Sequence, residues 1–139
     1  MISFNYQGTF LLKDEERHRS WLIRAVDQEG HNISEITYIL TTDAELLELN
    51  SNFLGHDYYT DILTFDRSDN KTLNGDIFIS TERVKENAVL YDESEEEELR
   101  RVMIHGILHM MGYNDSNEEE KKLMHKKENI YLKMFHVEQ

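Results

Sequence analysis

Two histidines four residues apart, His105 and His109, and a carboxylate just past the next glycine, Asp115, are the residues of this chain best suited to chemistry. Imidazole nitrogen and carboxylate oxygen are both metal donors, and helix side chains at i and i+4 are neighbours, with Cβ atoms about 5–6 Å apart. Gly112 permits a backbone reversal that swings Asp115 back toward the two rings. Three protein donors leave one position of a tetrahedral ion open, the pattern of catalytic rather than structural zinc, and a water held there is acidified toward neutral pH. That is the chemistry of a hydrolase. It is not that of the His-Glu-x-x-His peptidases, because Gly106 stands where they carry their general base. A bare His-x-x-x-His pair also occurs on solvated helix edges. The glycine stop, the small Gly106 between the rings and the carboxylate at closing distance tip the reading toward a metal.

Both imidazoles need a helix to hold them. Ser94 followed by Glu97 reads as a capping box, the Glu95–Glu98 run suits the positive end of a helix dipole, and Gly112 is a C-terminal stop, so a helix is predicted from about Glu95 to Met111. Leu99, Val102, Met103, Ile107 and Met110 fall on one face of it. His105 and His109 lie off the centre of that stripe, beside Glu98 and Arg101.

The rest of the pattern predicts an α+β fold, a small mixed sheet of about four strands packed with about five helices. Strands are expected at Ile2–Tyr6, Ile36–Leu40, Asp61–Phe65 and Asp76–Ile79. A helix over Asp14–Asp27 turns Trp21, Leu22 and Ala25 inward. A loop containing Gly30 follows over Gln28–Ser34. A helix capped by Thr42 or Asp43 carries Leu46, Leu47, Leu49 and Phe53, and a loop runs from Leu54 to Tyr59. The Asn70–Asn74 region is a turn, and helices start near Thr81, Glu95 and Asn117. In the last helix Leu123, Met124, Ile130, Tyr131 and Met134 form the packing stripe.

His105-Gly-Ile-Leu-His109-Met-Met-Gly112-Tyr113 resembles the signature of the YbeY family of metal-dependent endoribonucleases, also called rRNA maturation factors, which runs His-Gly-x-Leu-His-Leu-x-Gly-Tyr-Asp-His. Leu49-Asn50, Thr60-Asp-Ile-Leu-Thr-Phe65, Gly75-Asp-Ile-Phe-Ile-Ser80, and Met124 with Glu128 are similar to further family segments, so the resemblance is strong from about Leu46 to Glu128. It implies a zincin-like metal helix, one divalent ion, with zinc the first choice, held by His105, His109 and Asp115, and single-stranded RNA as substrate. Ribosomal RNA or the small ribosomal subunit would be the biological setting, and the reaction metal-assisted phosphodiester hydrolysis.

Two departures bear on mechanism. The family's third ligand is usually histidine, and here it is Asp115, preceded by Asn114 where the family has Asp. The extra negative charge makes a weaker Lewis acid and widens metal choice toward harder ions such as manganese. Leu54 stands where the family generally carries an arginine, implied to contact the substrate phosphate, and an aliphatic chain has no equivalent of a bidentate guanidinium. Nearby His56 is expected to take over part of that contact. These departures keep a rival open, a ribosome-associated binding factor whose metal is structural or vestigial. Hydrolysis of a small-molecule ester or amide is a second enzyme alternative.

Asp61 and Asp76 are read first as turn-bonding residues at strand entrances, ahead of roles as ligand-orienting acid or general base. His18, His31, His125 and His136 lack convergent partners and are expected at the surface.

Length and composition fit without proving. At 139 residues the chain is expected to form a single metal-dependent hydrolase domain, 1–139, burying about two-thirds of its unfolded surface. There is no cysteine, so a metal must take nitrogen and oxygen donors. No leader or membrane span is visible, and cytoplasmic residence is expected by default. The charge is awkward for an RNA partner: 15 Lys and Arg against 28 Asp and Glu leave −13. Much of the acid is local, in Asp92–Glu98 and Glu118–Glu120. Bases gather as Arg17, Arg19 and Arg24 and as Lys121, Lys122, Lys126 and Lys127, which points to contact with only a short single-stranded segment.

Overall fold

Parallel strands cannot be joined by a tight hairpin and need a crossover, and that requirement organises this chain. The computed structural model describes residues 1–56 and 59–137. Its elements are β1 (Ile2–Tyr6), α1 (Glu15–Gln28), β2 (Asn32–Thr41), α2 (Asp43–Leu54), β3 (Ile62–Asp66), β4 (Thr72–Ser80), α3 (Thr81–Leu90), α4 (Glu95–Met110) and α5 (Glu118–Val137). The sheet order is β1-β2-β4-β3. β1, β2 and β4 run parallel, with α1 as the first crossover, and β3 pairs antiparallel at the edge. This is the expected α+β class with a four-stranded mixed sheet and five helices.

Two strands start earlier than their sequences signal. β2 begins at Asn32 rather than Ile36 and β4 at Thr72 rather than Asp76, because Asn32 pairs with Thr72 and Ile33 with Leu73 before a register shift at Glu35. Polar residues there hide the alternation, and cross-strand pairing overrides weak propensity. Asp76 is therefore mid-strand, opposite Thr37 and Phe65, and pairs with Arg67 at 3.1 Å. It is neither a strand entrance nor part of the histidine site. The expected loop Leu54–Tyr59 includes residues 57 and 58, outside the described residues.

Leu73, Gly75, Ile77 and Ile79 of β4 alternate onto one buried face, and α4 packs there. Gly106 is the point of closest approach. A Cβ at that position would lie 2.9 Å from Ile62 Cδ1 and 3.3 Å from Ile77 Cγ2, so a larger residue would push the histidine helix off the sheet. The whole expected stripe of α4 is buried, and Ile104 and Leu108 are buried as well, because α3 and α5 flank the helix that the sheet supports. Two buried aromatic donors find backbone acceptors: Tyr38 Oη donates to Met103 O at 2.8 Å and Trp21 Nε1 to Tyr131 O at 2.6 Å.

Some expected core positions lie outside it. Phe53, Leu123 and Ile130 are exposed, whereas Asn50 in α2 and Leu132 and Phe135 in α5 are buried. On α5 the buried set steps from Met124 through Glu128, Tyr131 and Leu132 to Phe135, which rotates the packing face away from Leu123 and Ile130. His18 is buried rather than at the surface. Its Nδ1 lies 2.9 Å from Asp14 O and its ring sits against Trp21 and Phe135, and burial pulls its pKa below the usual value. Ser94 caps α4 by accepting from Glu97 N at 3.1 Å. The return half of the capping box is replaced, since Glu97 instead binds Arg100 and His136. Arg17 and Arg19 each commit one guanidinium nitrogen to the fold, donating to Phe135 O at 2.8 Å and to Ile2 O at 2.7 Å. Among the described residues no helix is long and apolar enough to cross a membrane.

Candidate metal centre

α4 ends in hydrogen bonds that wind its last turn and then release the chain: Gly112 N donates to His109 O at 3.0 Å and Tyr113 N to Leu108 O at 3.0 Å. Gly112 sits at φ +101°, which a side chain rarely tolerates, and the turn brings Asp115 back over the helix end. Asp115 Oδ2 lies 3.4 Å from His105 Nε2 and 3.4 Å from His109 Nε2. The two rings are 4.6 Å apart at 81°. One donor atom from each of His105, His109 and Asp115 falls within 4.8 Å of the others, as one ion requires.

The surroundings fit that use. His105 Nδ1 meets Glu128 Oε2 at 2.7 Å, which leaves Nε2 turned toward Asp115 and fixes the ring that would ligate. Glu128 Oε1 also accepts from Arg101 at 3.1 Å, so the carboxylate is held from both sides. Burial disfavours a charged His105, but the Glu128 hydrogen bond and charge, with Asp115 and Asp61, outweigh it and raise its pKa. Nitrogen and oxygen donors of this kind suit zinc and tolerate harder divalent ions.

The turn is anchored from outside the site. Tyr113 Oη donates to Glu29 Oε1 at 2.6 Å, and Glu29 also accepts from Lys127 Nζ at 3.0 Å and from Tyr131. Burial alone would push the Glu29 carboxyl up, and these donors overcome that and hold it below its usual value.

A second polar region adjoins His105. Asp61, Glu98, Arg101, Glu128, Asn87 and Tyr91 line a cavity of about 200 Å³ that reaches this ring. Asp61 lies just before β3, its carboxyl raised by burial against the opposing charge of His105, so it combines the expected turn position with a place near the centre. Burial lifts Glu98 to about 7, opposed by Arg101. Leu54 ends α2 and His56 follows, both exposed, and His56 is not part of the donor cluster.

The family model described as Endoribonuclease YbeY matches residues 5–136. This chain is a member of the YbeY family. Relatives named Endoribonuclease YbeY include that of Christiangramia forsetii, 45% identical over 99% of this chain and 96% of its own length. Those of Flavobacterium psychrophilum and Flavobacterium johnsoniae are each 45% identical over the whole chain, covering 99% and 100% of their own. A solution structure of a Thermotoga maritima protein is 31% identical, with a TM-score of 0.72 over 99% of this chain and 91% of that one. The likeness in fold therefore spans nearly the whole chain, as the family match does.

Glu128 is the residue whose role sequence reasoning missed. It was legible only as part of the family's closing segment, yet a carboxylate inside the otherwise apolar buried set of α5 is itself a signal, because acids are almost never fully buried unpaired. Glu29, far away in sequence, carried no signal at all.

Proposed function

We propose that this chain, as a single hydrolase domain over residues 1–139, is a metal-dependent endoribonuclease that cuts single-stranded RNA, with ribosomal RNA maturation in the cytoplasm as its setting. Membership of the YbeY family supports the reaction class, and the single observation that carries the site is the convergence of His105, His109 and Asp115 with Glu128 behind His105. These three residues would hold one divalent ion, zinc in our reading. Bound there, such an ion supplies Lewis-acid stabilisation for the charge that develops on a phosphodiester in cleavage. Glu128 keeps His105 in one tautomer and one orientation, so the donor atom is poised before the ion arrives. The Tyr113–Glu29 anchor does the same for the turn carrying Asp115. His56, beside Leu54 at the end of α2, takes over phosphate contact from the arginine of the family pattern.

A binding factor with a vestigial centre is the weaker reading, since a vestigial site has no use for a buried carboxylate braced on a ligand imidazole. The test is cleavage of a labelled single-stranded RNA by protein purified without a metal-affinity tag, with the matching duplex as control. Cleavage of the single strand, lost with chelator, restored by zinc or manganese and absent in His109→Ala, is the expected result. RNA that survives under metal-replete conditions overturns the reading.

A further inference from the structure

Glu98 presents a carboxylate to open space beside the candidate metal centre. Its residue is 5% exposed, yet among the described residues no hydrogen bond or salt bridge reaches its carboxylate. Its oxygens open onto solvent-filled space and are not sealed in the core, so their acceptor capacity is free for a ligand that enters there. Glu98 faces the cavity of about 200 Å³ beside His105 and also a second of about 410 Å³, and both are bounded by Tyr91 and Arg101. The two spaces form one trough leading away from the candidate metal centre.

The lining identifies the guest. Asp61, Glu98 and Glu128 face the trough, while Arg101 is spent on Glu128 and Asn129, so a phosphate is repelled and a group rich in N–H donors is welcome. Tyr91 is 61% exposed at the rim and offers a ring face, and Asn87 adds an amide that both donates and accepts. An aromatic wall with polar groups aimed at a base edge is how unpaired RNA bases are read. Among the four bases only guanine places two donors side by side, a ring N–H and an exocyclic amine, to match the two oxygens of one carboxylate. Adenine and cytosine put an acceptor next to their amine, and uracil flanks its single N–H with carbonyls.

We infer that the trough beside His105 is a base-recognition pocket in which the Glu98 carboxylate reads the Watson–Crick edge of a guanine next to the cleaved phosphate, with Tyr91 as stacking wall. The inference rests on the RNA substrate proposed above and is tested apart from cleavage. Chelator-treated protein, in which no catalysis is possible, is titrated by NMR with the 5′-monophosphates of guanosine, inosine, adenosine, cytidine and uridine, whose common phosphate cancels in the comparison. Guanosine monophosphate should bind at least tenfold more tightly than the adenosine, cytidine and uridine compounds and shift the amides around Asn87, Tyr91 and Glu98. Inosine monophosphate, which keeps the ring N–H and lacks the amine, should fall between. Glu98→Gln, shown folded by its spectrum, should lose the guanine preference at least tenfold. Equal binding of all five compounds, a preference that Glu98→Gln retains, or a second equivalent of manganese bound at Glu98 with no base preference would each overturn the pocket. Base-selective binding without any RNA cleavage would instead count against the nuclease reading and leave the pocket standing.

Discussion

The candidate centre has a helix-borne half and a turn-borne half, and they are built differently. His105 and His109 ride on α4, which is buried against the sheet and flanked by α3 and α5, and His105 is further pinned by the buried Glu128. Asp115 comes from a turn held chiefly through Tyr113, and its side chain is 43% exposed against 23% for His105. Donors on a packed helix are pre-organised by the core, whereas a donor on a turn depends on a few polar contacts and yields more readily. The donor at which this chain departs from the family pattern, Asp115, is thus the one of the three whose backbone is least committed.

The comparison breaks most sharply at the helix. His109→Ala should reduce metal content to background and abolish RNA cleavage, read by elemental analysis and a gel assay, while Asp115→Ala retains partial occupancy. Equal loss in the two variants would mean the turn is as indispensable as the helix. Next comes the brace: Glu128→Gln should weaken metal affinity by about 10–100-fold with the fold intact, as measured by competition with a chelating dye. Tyr113→Phe removes one hydrogen bond to a charged acceptor, for about 1.5–3 kcal/mol of local stability, and should raise amide exchange in residues 112–116 with only a few-fold loss of metal affinity. The smallest effect belongs to His18, which packs on Phe135 of the brace helix. Its pKa is depressed in the fold, so above about 6.5 it is neutral in both states and contributes nothing. As pH falls below that value the unfolded chain takes up a proton that the folded one refuses, and stability drops. His18→Phe should flatten this acid limb of the thermal melting curve and leave melting at pH 8 nearly unchanged.

Much of this architecture is readable locally. Ser94, the acidic first turn and Gly112 bound α4 because capping, dipole and positive φ are properties of a few adjacent residues. The i, i+4 spacing brings two rings together for the same reason. The turn carrying Asp115 is marked by Gly112, and the expected third donor does arrive. The early starts of β2 and β4 are not readable, since Asn32 and Thr72 become strand only by pairing with each other. Phe53 and Ile130 look like core by type and lie outside it, because which flank of a helix is covered depends on its neighbours.

Sequence by itself determined the helix, its two imidazoles, the stop and the nearby acid, since each follows from backbone geometry and side-chain chemistry within about twenty residues. Tertiary structure alone decided that Glu128 braces His105, that Glu29 anchors Tyr113 from 84 residues away, and that Glu98 lines the cavity beside the centre. Those facts depend on which helices pack together. Packing is a sum of many weak, non-directional contacts over the whole chain that no short motif encodes.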